Sequence, residues 1–348
     1  MATFKKFYIV LFTFILLITT PCLAAEKEKK SYPYKEFEPF KMVFLPDVNL
    51  SFDFEEKDNV ILHQESLVIL QDVIKNLNQE HKPDFVVFGG DLTYNKDGKF
   101  TDMPLFLDTV SELTVKYYTV LGEKEANYAD EYSKEDFIKE FDEFNYETLK
   151  QTFWTVEPVE NVLLIGLDTS VKGQKSGYLN IHQLFWLDNV LKNNRDKFTI
   201  IAMHHPPLIT TGKDKTEWKK YTLEKPGLFL ELINLYPQVK IVLSGHHYSN
   251  YAEKINEKLF ITCPSITVYP NIYKVMEIYN NRIEIDNEKI SFKQIIKKAK
   301  NQMIKSDYAT EFNPEKPKSV IKYQRGNGFS RKDEYYFGED KSRFFFWF

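Results

Sequence analysis

The chain has 348 residues, 43% of them hydrophobic and 28% charged, a globular balance that excludes a disordered polymer and leaves room for one large core or two small ones. A formal net charge of -4 and a pI near 6.1 give no global attraction to nucleic acid or to an acidic membrane. No nucleic-acid-binding module is legible, so a polymeric nucleic acid is not an expected partner.

In chain order, Lys5 and Lys6 precede an apolar run from Phe7 to Thr20, followed by Pro21, Cys22, Leu23, Ala24 and Ala25. That order predicts a secretory signal over residues 1–25, cleaved near Ala24 or Ala25. Left uncleaved, the same run is a short membrane anchor, since a spanning helix needs about 20 apolar residues. The expectation is an exported protein, periplasmic or secreted, with the anchored form as the alternative. Thr19 and Pro21 do not give Cys22 the flanks of a lipid-attachment site. After cleavage only Cys263 remains, so no intrachain disulfide can form. Residues 26–39 read as a linker.

From Lys41 short apolar strands alternate with helical segments. KMVFLP is followed by a helix with Leu67, Leu70, Ile74 and Leu77 on one face, then by DFVVFGG, KYYTVLG and NVLLIGLD. A helix opening at Asn180 carries Leu184, Leu187 and Leu191 on one face, and KFTIIAMH and QVKIVLSGHH come after it. Such alternation predicts parallel pairing with helices outside. KLFITC, KVMEIY and RIEID follow without helices between them, which suggests a second, more antiparallel sheet. The predicted class is α/β, a two-sheet β-sandwich flanked by α-helices. Beyond it lie a lysine-rich helix (FKQIIKKAKNQMIK), a tail expected to be loosely ordered from Asp307, and the ending SRFFFWF. Those terminal aromatics are candidates for docking on the domain, for a protein partner or for a peripheral membrane contact.

Five strand ends carry a group able to bind metal or phosphate: Asp47 in FLPDVN, Asp91 in FGGDLTY, Glu123 in VLGEKE, His204 in IAMHHPP and His246 in LSGHH. In open α/β sheets the carboxyl ends of the strands face the crevice where ligands collect. Aspartate and histidine there must be solvated, paired or ligating. A mixed Asp, Glu and His set suits manganese, iron or zinc rather than magnesium.

The order and spacing of these blocks resemble the calcineurin-like metallophosphoesterases, within them the cyclic-nucleotide phosphodiesterase-like branch, from about Lys41 to Glu288. The resemblance places the family fold over residues 40–290 and leaves 291–348 as a C-terminal extension with an aromatic tail. The family pattern is Asp-x-His, Gly-Asp, Gly-Asn-His-Asp/Glu, a lone His and Gly-His-x-His. Asp47 matches the first block, Asp91 is the bridging ligand, His204 the lone histidine, and Gly245-His246 opens the last block. Asn49 stands where the first block has histidine, Glu123 where the third has asparagine, Lys124 where it has its catalytic histidine, and Tyr248 where the last has its second histidine. Glu125 fits the acidic end of the third block.

The resemblance implies metal ligation by Asp47, Asp91, Glu123, His204 and His246, with one or two divalent transition-metal ions (Mn, Fe or Zn) per chain. One site, built from Asp91, Glu123, His204 and His246, keeps four donors, while the other loses two to Asn49 and Tyr248. Lys124, Asp47 and Asn49 are the candidate catalytic groups. Lys124 would stabilise phosphate or protonate a leaving group, or else simply pair with Glu123 or Glu125. His247 reads as a solvated loop side chain. The implied function is an exported, metal-dependent phosphoester hydrolase with an altered, mononuclear or weakened dinuclear centre. The alternative is an impaired pseudo-phosphoesterase that binds a phosphorylated ligand or an envelope partner. An exported enzyme does not meet cytoplasmic cyclic nucleotides, so its partner would be a small phosphorylated molecule outside the cytoplasm.

Overall fold

The structure is a computed structural model and describes residues 32–51, 60–94, 102–127, 134–141, 151–210, 218–326 and 332–337. The expected signal segment and the SRFFFWF ending lie outside the described residues. The strands are β1 (Phe40–Leu45), β2 (Phe85–Phe88), β3 (Lys116–Thr119), β4 (Trp154–Val159), β5 (Val162–Gly166) and β6 (Phe198–Ala202), then β7 (Val239–Ser244), β8 (Tyr251–Ile255), β9 (Lys258–Thr262), β10 (Ile272–Ile278), β11 (Arg282–Lys289) and β12 (Lys332–Tyr336). The helices are α1 (Ser66–Asn76), α2 (Asp102–Val110), α3 (Glu123–Asn127), α4 (Lys134–Glu140), α5 (Ile181–Asn193), α6 (Gly227–Asn234), α7 (Lys293–Lys305), α8 (Asp307–Phe312) and α9 (Val320–Arg325).

Two six-stranded sheets result, ordered β12-β11-β10-β1-β2-β3 and β4-β5-β6-β7-β9-β8. The period-two alternation of a strand decides which core each side chain enters. In β5, Val162 and Leu164 belong to the large core that includes β1 and β2, whereas Leu163 and Ile165 enter a smaller core with α5 and α6. Strands buried on both faces are uniformly apolar, as in parallel sheets covered by helices. β1, β2 and β3 pair in parallel, as do β5, β6, β7 and β9. Their carboxyl ends therefore open on one side and carry the candidate residues. Asn180 caps α5 by accepting the Gln183 N–H at 2.9 Å.

Three features differ from the sequence expectation. KLFITC, KVMEIY and RIEID do not build a sheet of their own: β9 lies parallel to β7, while β10 and β11 extend the first sheet antiparallel from β1. Residues 32–39 are more than a linker, because Tyr34 and Phe37 are buried and pack on Phe198. Beyond Asp307 the described residues form α8 and α9, and β12 pairs with β11. Polar composition concealed this because few residues there are buried, but Val320 and Phe337 are core members.

Phe337 stacks edge-on against Phe198 at 5.5 Å and its N–H donates to Asn281 O at 2.7 Å. Phe337→Ala should therefore lower unfolding stability by about 3 kcal/mol or more, read from urea denaturation. A change within about 0.5 kcal/mol, as at exposed positions, would show that this segment is not docked.

Candidate metal centre

The five candidate residues reach one place because the chain turns sharply after each strand. Asp47, Asn49, Asp91, His246 and Tyr248 all have left-handed backbones, with φ of 55°, 51°, 53°, 63° and 52°. Asp, Asn and His tolerate that region better than most side chains, and Tyr does not. Hydrogen bonds hold the turns: Asp47 N–H donates to Gly90 O at 2.9 Å and Asn49 N–H to Asp91 O at 2.8 Å. Gly122 is required by space, since a Cβ there would lie 2.1 Å from Asp91 Oδ1.

Glu125 fastens the second and third blocks together. Its Oε2 accepts the N–H groups of Asp91 and Gly122 at 2.8 and 2.9 Å, and its Oε1 accepts Leu92 N–H at 2.8 Å. Burial and the Asp91 charge push its carboxyl up to about 7, against the pull of the Gly122 N–H. Both oxygens are thus engaged by backbone, so Glu125 positions loops. Asp91 Oδ1 accepts Lys124 N–H at 3.0 Å, and Lys124 Nζ pairs with Asp91 Oδ2. The ammonium also lies 3.7 Å from Glu123 Oε1 and 5.8 Å from the Tyr94 ring centroid. Its partner is the bridging aspartate, beyond the two glutamates considered from sequence.

His204 Nδ1 donates to Gly89 O at 2.7 Å, which turns Nε2 toward the cluster. Nε2 lies 2.9 Å from Glu123 Oε2 and 3.1 Å from His246 Nδ1, and the remaining side, Glu123 Oε2 to His246 Nδ1, is 2.9 Å. These three atoms form a nearly equilateral triangle. Burial would lower His204, but Asp91, Asp47 and Glu123 raise it to about 10. Glu123 is raised by burial yet held well below the usual carboxylate range by His246, Lys124 and the hydrogen bonds of both histidines. Asp47 Oδ2 accepts His246 N–H at 2.7 Å, while the buried Asp47 Oδ1 has no partner and stands 3.9 Å from His204 Nε2.

Among the described residues two donor groups converge within 4.8 Å: Glu123, His204, His205 and His246, and Asp47, Asp91, His204 and His246. Buried carboxylate and imidazole donors, with Asp47 Oδ1 left without a partner, fit a divalent cation. At the two remaining positions the donor is weaker or turned to other contacts, although Asn49 Oδ1 is left without a partner. Asn49 spends its amide Nδ2 on Asp47 O at 2.8 Å, and Tyr248 packs against Tyr308, its phenol pushed well above its ordinary value by burial.

His247 corrects the sequence expectation of a solvated side chain. It is buried, its Nδ1 meets Tyr323 OH at 2.5 Å and its carbonyl accepts Tyr308 OH at 3.0 Å. Both tyrosines come from α8 and α9, far along the chain, so no local signal near His247 could have shown this. The end of β5 was also missed. There Asp168 accepts Ser170 N–H at 2.9 Å and Thr169 Oγ1 lies 2.8 Å from His205 Nδ1. The strand-end rule that found the other blocks applies to the sequence GLDTS as well.

The described helices include none long and apolar enough to cross a membrane. A family model for calcineurin-like phosphoesterases matches residues 52–250. The chain is 29% identical over 188 residues to a probable glycerophosphodiester phosphodiesterase of Arcobacter nitrofigilis, covering 54% of this chain and 65% of that protein. It is 27% identical over 190 residues to a probable cyclic nucleotide phosphodiesterase of Coxiella burnetii, covering 55% and 69%. The fold is similar to that of a dimetal phosphatase from Danio rerio, with a TM-score of 0.60 at 17% identity over 72% of this chain and 96% of that one. With matched strand ends, a convergent set of metal donors and a family match over more than half its length, the chain belongs to the calcineurin-like phosphoesterases, hydrolases that use divalent metals.

Proposed function

We propose that the protein is an exported phosphoester hydrolase with one divalent transition-metal ion, held on the Glu123, His204, His246 triangle, and with the Lys124 ammonium in place of a second cation. The observation that carries this reading is the Lys124 contact to Asp91, the aspartate that would otherwise bridge two metals. A second cation would be repelled by that ammonium, and the Tyr248 ring packs against Tyr308. Export rests on the charge and hydropathy of residues 1–25. The names of the relatives support a small phosphodiester as substrate.

A divalent cation in this site supplies Lewis acidity toward a phosphoryl oxygen. The chain's own groups do the rest. Lys124 meets the charge that grows on the remaining phosphoryl oxygens. Asp47 Oδ1, buried and without a donor, is placed to accept a proton from an attacking water. Asn49 Oδ1, also without a donor, is placed to orient that water or a substrate hydroxyl. A non-hydrolytic reading, binding of a phosphorylated ligand or envelope partner, draws on the same ion pair, since Asp91 and Lys124 quench each other's charge.

Elemental analysis of the full chain, purified without a metal-affinity tag, should give about one transition metal per chain, and that protein should turn over a simple aryl phosphodiester. Two metals per chain would refute the mononuclear centre, and metal without turnover would favour the binder. Lys124→Ala should lower kcat on the order of 100-fold, as loss of a preorganised donor does; an unchanged kcat would remove Lys124 from the chemistry.

Burial raises Asp47 from its ordinary 3.8 to about 6, opposed by His204 and reinforced by Asp91. The folded state then holds this proton more tightly than the unfolded state, so ionising Asp47 removes stability as pH climbs from about 4 to 6. Chelator-treated Asp47→Asn should match the parent at pH 4 and exceed its stability at pH 7 by about 2–3 kcal/mol. A variant less stable than the parent at pH 7 would contradict the burial argument.

A further inference from the structure

His205 lies beside the triangle but matches no ligand position of the family pattern, and its surroundings hold it as a ligand is held. It is fully buried. Its Nδ1 lies 2.8 Å from Thr169 Oγ1, which also receives the His205 backbone N–H at 3.3 Å. Its Nε2 is buried and has no partner. The ring centroid stands 4.6 Å from that of His246 and 5.0 Å from that of His204. On the opposite side Gly177 presses its backbone against the imidazole, where a Cβ would come 2.5 Å from His205 Cγ. Gly177 is itself fixed, its N–H donating to Thr222 O at 3.1 Å and its carbonyl accepting Glu224 N–H at 2.7 Å. The ring is thus oriented by a hydroxyl on one nitrogen, the usual arrangement of a metal-bound histidine. His205 belongs to a four-residue group in which one donor atom of each residue lies within 4.8 Å of the others.

We propose that His205 is a metal ligand of this protein, completing a Glu123, His204, His205, His246 set around one divalent ion while Lys124 keeps Asp91 out of the coordination sphere. This rests on the reading that the centre holds one metal. Asp91 has both carboxylate oxygens engaged by Lys124, whereas His205 Nε2 makes no hydrogen bond of ordinary geometry. An unpaired buried acceptor is costly, so ligation through Nε2 favours His205 over Asp91. Triangle sides of 2.9, 2.9 and 3.1 Å are near the edge, about 3.3 Å, of a tetrahedron with zinc-to-nitrogen bonds of about 2.0 Å. Three imidazoles and one carboxylate make a borderline set that prefers zinc, or iron, to manganese.

The test uses the full chain, stripped with a chelator and titrated with cobalt(II), whose visible spectrum reports coordination. The wild type should take up one cobalt per chain with the intense absorption of a four-coordinate ion. His205→Ala should bind at least about 10-fold more weakly and lose that absorption. Thr169→Val, which frees the ring without removing it, should fall between the two. Unchanged affinity and spectrum in His205→Ala would overturn the assignment while leaving the metal centre intact. No cobalt bound by the wild type would overturn both. Should the alanine variant fail to fold, X-ray absorption of the zinc-loaded wild type decides, three imidazoles supporting the proposal and two refuting it.

Discussion

Four carboxyl groups, those of Asp47, Asp91, Glu123 and Glu125, gather at the carboxyl end of the sheets with little or no exposure, and the local structure is organised around keeping them there. An ionised carboxylate removed from water must be paired or hydrogen-bonded. Each of the four meets that demand differently. Glu125 takes backbone N–H groups, Asp91 takes Lys124, Glu123 takes two imidazoles and Asp47 takes the His246 N–H. Apart from the Gly122 N–H to Glu125, these bonds join loops that follow different strands, so satisfying the charges also fixes the loops. That interlocking offsets the strain of the left-handed residues, which cost on the order of 1–3 kcal/mol each unless their surroundings determine them.

Four of the five left-handed site positions come in pairs, 47 with 49 and 246 with 248, and this pairing explains what the departures from the family pattern change and what they keep. At 49 an asparagine retains the tolerance of that backbone while giving up an imidazole. At 248 a tyrosine does neither well. Its φ of 52° is unfavourable for an aromatic residue, and it is retained where the ring packs beside Tyr308. The turn therefore persists while its side chain has moved from a donor's place into an aromatic group that also holds Trp218 and Tyr323. The C-terminal helices supply that group, and in doing so they bury His247.

The alternation of strands and helices, and the polar groups at the strand ends, were legible in sequence for a physical reason. Parallel strands must be apolar on both faces and must end in polar turns, so FVVFGGD and IVLSGHH announce themselves. What stayed hidden depends on distant partners. Nothing near Lys124 says that its ammonium reaches Asp91 rather than Glu125, because that choice follows from the backbone N–H groups already occupying Glu125. β12 is likewise a polar strand on a sheet edge, DEYY within KDEYY, whose burial pattern alternates too weakly to mark it. His205 stood in view next to His204 but carried no sign of its orientation, which Thr169 and Gly177 determine from other loops.

Charge arithmetic carries the proposed mononuclear centre toward one class of substrate. Replacing a divalent cation by an ammonium removes one positive charge while Asp47, Asp91 and Glu123 remain. One divalent ion plus Lys124 supplies three positive charges against those three carboxylates, with Glu125 beside them, so the centre has no surplus of positive charge before substrate arrives. A dianionic phosphomonoester gains less from such a centre than from a dinuclear one, whereas a phosphodiester brings a single negative charge and needs less compensation. The ammonium is also a donor of directed hydrogen bonds, able to hold one nonbridging oxygen in place. On the proposed reading, the change that removed the second metal therefore leaves a site whose electrostatics favour diester over monoester hydrolysis.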